Sequence, residues 1–214
     1  VRSDVLIVAY ADRPPRLEHT GGIAVRRTAS DTVHLVSAAA TPLGGDLITV
    51  RVVVEAGARL TVRTAAATLA LPGASTPESA SRWDVECAGE LDLDPQPTVV
   101  AGGSAHVTTT RLRLADAGRI RLRERVQIGR VGEHDGFWSG ALHADVDGIP
   151  LLRHRIEVGA AAVGDDELHR PRACVSELRY PADHSGSAPA AAGTVLALAA
   201  GGTLATWQGD RLTS

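Results

Sequence analysis

The chain has 214 residues, a formal net charge of −3 and 44% apolar residues. That is enough for a sizeable core without staples, and the near-neutral balance argues against a general nucleic-acid binder. No apolar run reaches the roughly 18 residues a membrane span needs, Val1–Tyr10 lacks a signal-peptide layout, and Cys87 and Cys174 fit no metal-knuckle spacing. A soluble cytoplasmic protein with two reduced thiols is therefore expected. The core must be built from Val, Leu, Ile and Ala, because the chain holds three Trp, two Tyr, one Phe and no Met. β-branched residues suit strands. All 22 basic residues are Arg.

Period-two alternation dominates the chain. Asp46 follows Gly44-Gly45 at a turn, where it can cap the backbone. Leu47–Val54 is a β-rich run closed by Ala56-Gly57, and Leu60, Val62 and Thr64 share one parity in the next. Residues 71–81 read as a loop. Trp83, Val85 and Cys87 alternate with Asp84 and Glu86, and Leu91 and Leu93 alternate with Asp92 and Asp94. The two aspartates read as an exposed face. His106 shares parity with Leu112 and Leu114 through Thr108 and Thr110. Short alternating runs between Gly, Asp and Pro turns predict an all-β fold, and residues 1–214 read as a single domain. Sandwich, barrel and stacked β-helical layouts all suit the spacing. Asp165–Arg170 is the best candidate for a short helix, stopped by Pro171.

The run Ile120–Ile128 carries the sharpest anomaly. Its even positions are Ile, Leu, Glu, Val and Ile, so Glu124 projects from the apolar face. A carboxylate there is costly unless it is paired, hydrated or metal-bound. Either a bulge or an Arg partner relieves it, or it lines an internal water-filled path. The odd positions Arg121, Arg123 and Arg125 form the opposite face, read as solvated or as a dock for an acidic partner. Residues 129–136 gather Glu133, His134 and Asp135, with His143 and Asp145 following. These donors suit divalent first-row metals, yet a solvated turn or a protein-contact loop fits equally. His154 shares the parity of Leu152, Ile156 and Val158, either as a hydrogen-bonded core histidine or as a ligand.

No enzyme signature is present: there is no G-x-S-x-G elbow, no Walker loop and no H-E-x-x-H, and no catalytic residue is assigned. Ser139-Gly140 reads as a turn. A β-helical glycosidase would need a converging carboxylate pair that the sequence does not specify.

Several segments taken in order resemble the urease accessory protein D family. They are Pro42-Leu43-Gly44-Gly45-Asp46, Ala56-Gly57-Ala58 with Leu60–Thr68, Glu90–Val100, Ala117-Gly118 with Ile128–Glu133, and Gly148–Ile156. The resemblance implies stacked, helically arranged β-sheets with one or two short helices. It implies binding to apo-urease together with accessory protein F and the GTPase accessory protein G, and nickel passing through the protein in transit with no permanently bound cofactor. Asp46, Gln96, Glu124 and Glu133 fall on family motif positions, and the candidate nickel path comprises Glu124, Glu133, Asp46 and His154, the last on its inward parity alone. The sequence departs at Pro97, where the family often has Glu, and it is short after Thr203.

Overall fold

The computed structural model describes residues 1–165, 169–182 and 193–212. Every regular element among them is a strand. The stretch Asp165–Arg170, expected to start a helix, falls partly in residues 166–168, outside the described residues.

One sheet has seven strands in the order β14-β13-β11-β8-β5-β1-β2. These are β1 (Arg2–Ala9), β2 (Arg16–Thr20), β5 (Leu47–Val54), β8 (Glu78–Cys87), β11 (Ala105–Leu114), β13 (Phe137–Val146) and β14 (Ile149–Gly159). The second sheet runs β16-β17-β15-β12-β9-β6-β4-β3, with β7 and β10 attached beside β12. Its strands are β3 (Ile23–Arg27), β4 (Thr32–Ser37), β6 (Arg59–Thr64), β7 (Thr68–Ala70), β9 (Glu90–Leu93), β10 (Thr98–Val100), β12 (Arg119–Ile128), β15 (Ala173–Tyr180), β16 (Thr194–Ala197) and β17 (Thr203–Gly209).

From β4 to β13 the chain passes alternately through the two sheets, so successive strands of each sheet lie parallel. This is the stacked, helically wound arrangement that the resemblance implies. The winding stops at β13, where Asp147 and Gly148 both take positive φ (47° and 78°) and turn the chain into antiparallel β14. Asp-Gly favours that tight turn.

The core fills the space between the sheets. Ile7, Val50, Val52, Val85 and Leu112 from one sheet meet Leu60, Val62, Leu91 and Ile120 from the other, all essentially solvent-free. Each such side chain contributes about 1.5–3 kcal/mol of burial. A smaller apolar cluster, including Val100, Val126, Trp138, Val158 and Cys174, closes the other end. Between the clusters the interior turns polar. Ser79, Ser81, His106, Thr108 and Thr110 occupy inward positions of the seven-stranded sheet and are buried.

Ser139-Gly140, expected at a turn, instead lies inside β13. Gly140 is there because the Trp138 ring folds over it: a Cβ at 140 would stand 2.1 Å from the ring. The glycine marks a close approach of a side chain.

Candidate functional site

Among the described residues, the ten-stranded sheet is breached between β9 and β10. Strand β12 pairs with β9 through Arg119–Leu122, and then with β10 only from Val126 onward. Strand β6 likewise pairs with β9 through Arg59–Val62, and the ladder resumes where β7 meets β10. Between these ladders residues 94–97, Asp-Pro-Gln-Pro, loop away. Pro95 and Pro97 have no N–H to give, so a continuous ladder cannot form there. The gap is held open by side bonds: Gln96 N donates to Thr64 Oγ1 at 2.9 Å, and Arg125 Nη2 donates to the Pro95 carbonyl at 2.7 Å. Residues 65–67, three alanines, form the facing side and are exposed.

Glu124 sits at this gap. On its other side β12 remains paired, with Glu124 opposite Ser176 of β15. The inward parity expected from the sequence is kept without a bulge. A cavity of about 200 Å³ opens here, lined by Ala65–Ala67, Gln96, Thr98, Ser81, His106, Thr108, Glu124 and Arg125. It runs from exposed residues at the gap to the buried His106 on the opposite sheet.

Burial pushes the Glu124 carboxyl up to about 7, against a smaller opposing pull from the Thr108 hydroxyl. Trp138 Nε1 donates to Thr108 Oγ1 at 3.2 Å, which leaves the threonine proton for the carboxylate. His106 is held between two serines, with Nδ1 2.8 Å from Ser79 Oγ and Nε2 3.1 Å from Ser81 Oγ. Burial pushes its pKa down to about 4, so the imidazole is neutral at pH 7. The cavity therefore offers one carboxyl, one neutral imidazole and several hydroxyls, with the Arg125 guanidinium at its wall tied to Asp94 and the Pro95 carbonyl.

The other expected residues lie elsewhere. Asp46 is buried; its Oδ2 accepts from Thr41 Oγ1 at 2.8 Å and Leu43 N at 2.9 Å, which closes the turn before β5. Glu133 accepts from Gly102 N at 2.8 Å and Arg130 N at 3.1 Å and pairs with the Arg130 guanidinium. Arg130, then the backbone N–H groups, hold its carboxyl down at about 2. His154 is on the inner face of β14, as its parity indicated, and lines an open cleft of about 720 Å³ with Thr206 and Gln208. Its Nε2 is shielded from solvent with no protein partner. Glu124 and His154 thus line different cavities. Among the described residues no three His, Cys, Asp or Glu side chains converge as a metal-binding group.

Arg121, Arg123 and Arg125 face outward as expected, but they are not solvated. Their side chains are only 16–21% exposed. Arg121 reaches Asp92 (3.1 Å), Asp94 (3.2 Å) and Glu177 (3.1 Å), and Arg125 reaches Asp94 (2.8 Å). Arg123 lies 3.5 Å from Glu177, which is 2% exposed. The aspartates read as an exposed face belong to this network.

Comparison with known proteins decides the family. Residues 8–208 match the UreD urease accessory protein family. The chain belongs to that family. It is 38% identical over 193 residues to urease accessory protein UreD 1 of Saccharopolyspora erythraea, covering 86% of this chain and 74% of that relative. It is 40% identical over 182 residues to urease accessory protein UreD of Frankia alni, covering 75% of this chain and 61% of the relative. With the UreD of Streptomyces avermitilis the identity is 40% over 158 residues, with coverages of 70% and 62%. The chain thus matches less than two thirds of the length of the latter two UreD proteins.

Within this UreD-family chain, sequence reasoning singled out Glu124 and noticed His106. It missed Ser81 and Thr108 as site residues. Ser79 and Ser81 share the inward parity of Trp83 and Val85, and that parity was the available signal. Pro97, read as the loss of a carboxylate, helps to hold the sheet open at the cavity mouth.

Proposed function

We propose that this chain acts in urease maturation. It binds apo-urease together with accessory protein F and the GTPase accessory protein G, in the cytoplasm, and carries no catalytic activity of its own. Nickel passes through the breach in the ten-stranded sheet into the cavity at Glu124. The observation that carries this reading is a lone carboxyl on an inward strand face, at a place where the adjoining ladder is interrupted and solvent-exposed residues line the same cavity. A half-buried carboxyl whose pKa is raised to about 7 is protonated part of the time near neutral pH and gives up that proton when a divalent cation arrives. His154, in the cleft at the far edge, serves as a second station.

Asp46 and Glu133 lie on the same motifs but are occupied by backbone N–H groups, so we assign them to turn geometry. A second reading, a structural adaptor that never touches metal, draws support from the lack of a converging three-residue metal group among the described residues. Pull-down with tagged apo-urease subunits, followed by metal analysis of the captured enzyme, tests both. Capture with nickel gain is expected. Capture with no effect of Glu124 substitution on nickel gain favours the adaptor, and failure of capture contradicts both readings.

A further inference from the structure

We propose that His106 is a nickel ligand inside the cavity, and that its nitrogen makes the site prefer nickel to magnesium. This rests on the reading of the cavity as a nickel path. His106 and Glu124 come from opposite sheets and line the same cavity. Thr108, two residues along β11 from His106 and on the same face, stands against Glu124. Successive same-face residues of a strand lie roughly 7 Å apart, so the Glu124 carboxyl stands one same-face step along β11 from the His106 position.

The imidazole is already oriented as a ligand. Ser81 lines the cavity and Ser79 does not. The ring therefore turns Nε2, 3.1 Å from the Ser81 hydroxyl, toward the cavity, and a ligand role takes the tautomer in which Nε2 is the acceptor. Nδ1–H then donates to Ser79 Oγ at 2.8 Å. A metal-bound histidine almost always donates its other N–H to such a partner, which fixes tautomer and ring direction. A cation bound at Nε2 displaces the Ser81 hydroxyl, while Arg125 stays turned to Asp94 and the Pro95 carbonyl. The ring needs no deprotonation, because its burial keeps it neutral. Imidazole nitrogen favours nickel, whereas carboxylate and hydroxyl oxygens alone suit magnesium. Water completes the coordination, and two protein donors suit a station that must release its cargo.

The test is equilibrium dialysis of the full chain with NiCl2 or MgCl2, supported by proton NMR of the nickel form. The wild type should bind nickel more tightly than magnesium and show a paramagnetically shifted imidazole N–H. His106→Gln should lose nickel affinity by about tenfold or more, lose that resonance and keep its magnesium affinity. Ser79→Ala should lose about tenfold for nickel, the scale of an outer-shell partner. Ser81→Ala should bind nickel more tightly, since it removes the competing hydroxyl; a variant that merely misfolds cannot show this sign. Wild-type nickel affinity in His106→Gln, with binding weakened in Glu124→Gln, would overturn the ligand role and leave the path standing. Unchanged affinity in both variants would overturn the path as well.

Discussion

At the residue scale, Glu124 and His106 have opposite perturbations that nearly offset one another. Burial raises the Glu124 carboxyl to about 7. The folded state therefore binds the extra proton between the ordinary carboxyl range and pH 7, and stability falls as pH rises through that window. Burial lowers His106 to about 4, so the unfolded state binds the extra proton between pH 4 and the ordinary histidine range. There stability falls as pH drops. In metal-free wild type the two slopes cancel across the shared interval. Glu124→Gln should expose the histidine slope, losing stability as pH falls from about 6.5 to 4. His106→Gln should expose the carboxyl slope, losing about 3 kcal/mol as pH rises from about 4.5 to 7.5. Urea midpoints measured across this range check both signs. The thiols give a simpler expectation. Both cysteines are buried, and burial pushes Cys87 up to about 11 and Cys174 further. Neither should react with maleimide at pH 7 until the chain unfolds. Glu124 was legible because a lone carboxylate among Ile, Leu and Val positions breaks a strict alternation. His106 was harder to read, because its same-face neighbours are threonines and the face looked ordinary.

At the element scale, alternation tells which face a residue is on but not what covers that face. Strands β5, β12 and β14 were legible as runs, and Ile120, Leu122, Val126 and Ile128, read as the apolar face of β12, are buried. Arg121, Arg123 and Arg125 were read as solvated or as a dock for an acidic partner, since the carboxylates that hold them lie 27 to 56 positions away. Strands β7 and β10 went unread, because each has only three residues and lies beyond a break. The Glu177 carboxylate is the keystone of the outer network, with Arg121, Arg123 and Arg179 all on it. Glu177→Ala should cost about 3 kcal/mol, since it strands partly buried guanidinium groups. Gly140→Ala should cost about 2 kcal/mol by forcing the Trp138 ring off its site. Chemical denaturation measures both; values below about 0.5 kcal/mol would contradict the packing described.

At the scale of the whole molecule, the alternation of the chain between two sheets makes a place where a cavity can form. From β4 to β12 each passage through the ten-stranded sheet is parallel to the last, so one proline-rich segment can open the ladder without ending the sheet. That winding was not legible from local periods. Strand runs were, but their partners lie one full passage away, and the sequence carries no strict repeat to announce it. The fold class therefore followed from alternation and the arrangement from motif order. Among the described residues no helix is long and apolar enough to cross a membrane. The central claim, that cargo passes Glu124, is tested most directly by the nickel content of urease matured at limiting nickel with wild-type or Glu124→Gln protein. The variant should still be captured by urease, and the enzyme should hold several-fold less nickel. Equal nickel content, with equal capture, would contradict the account.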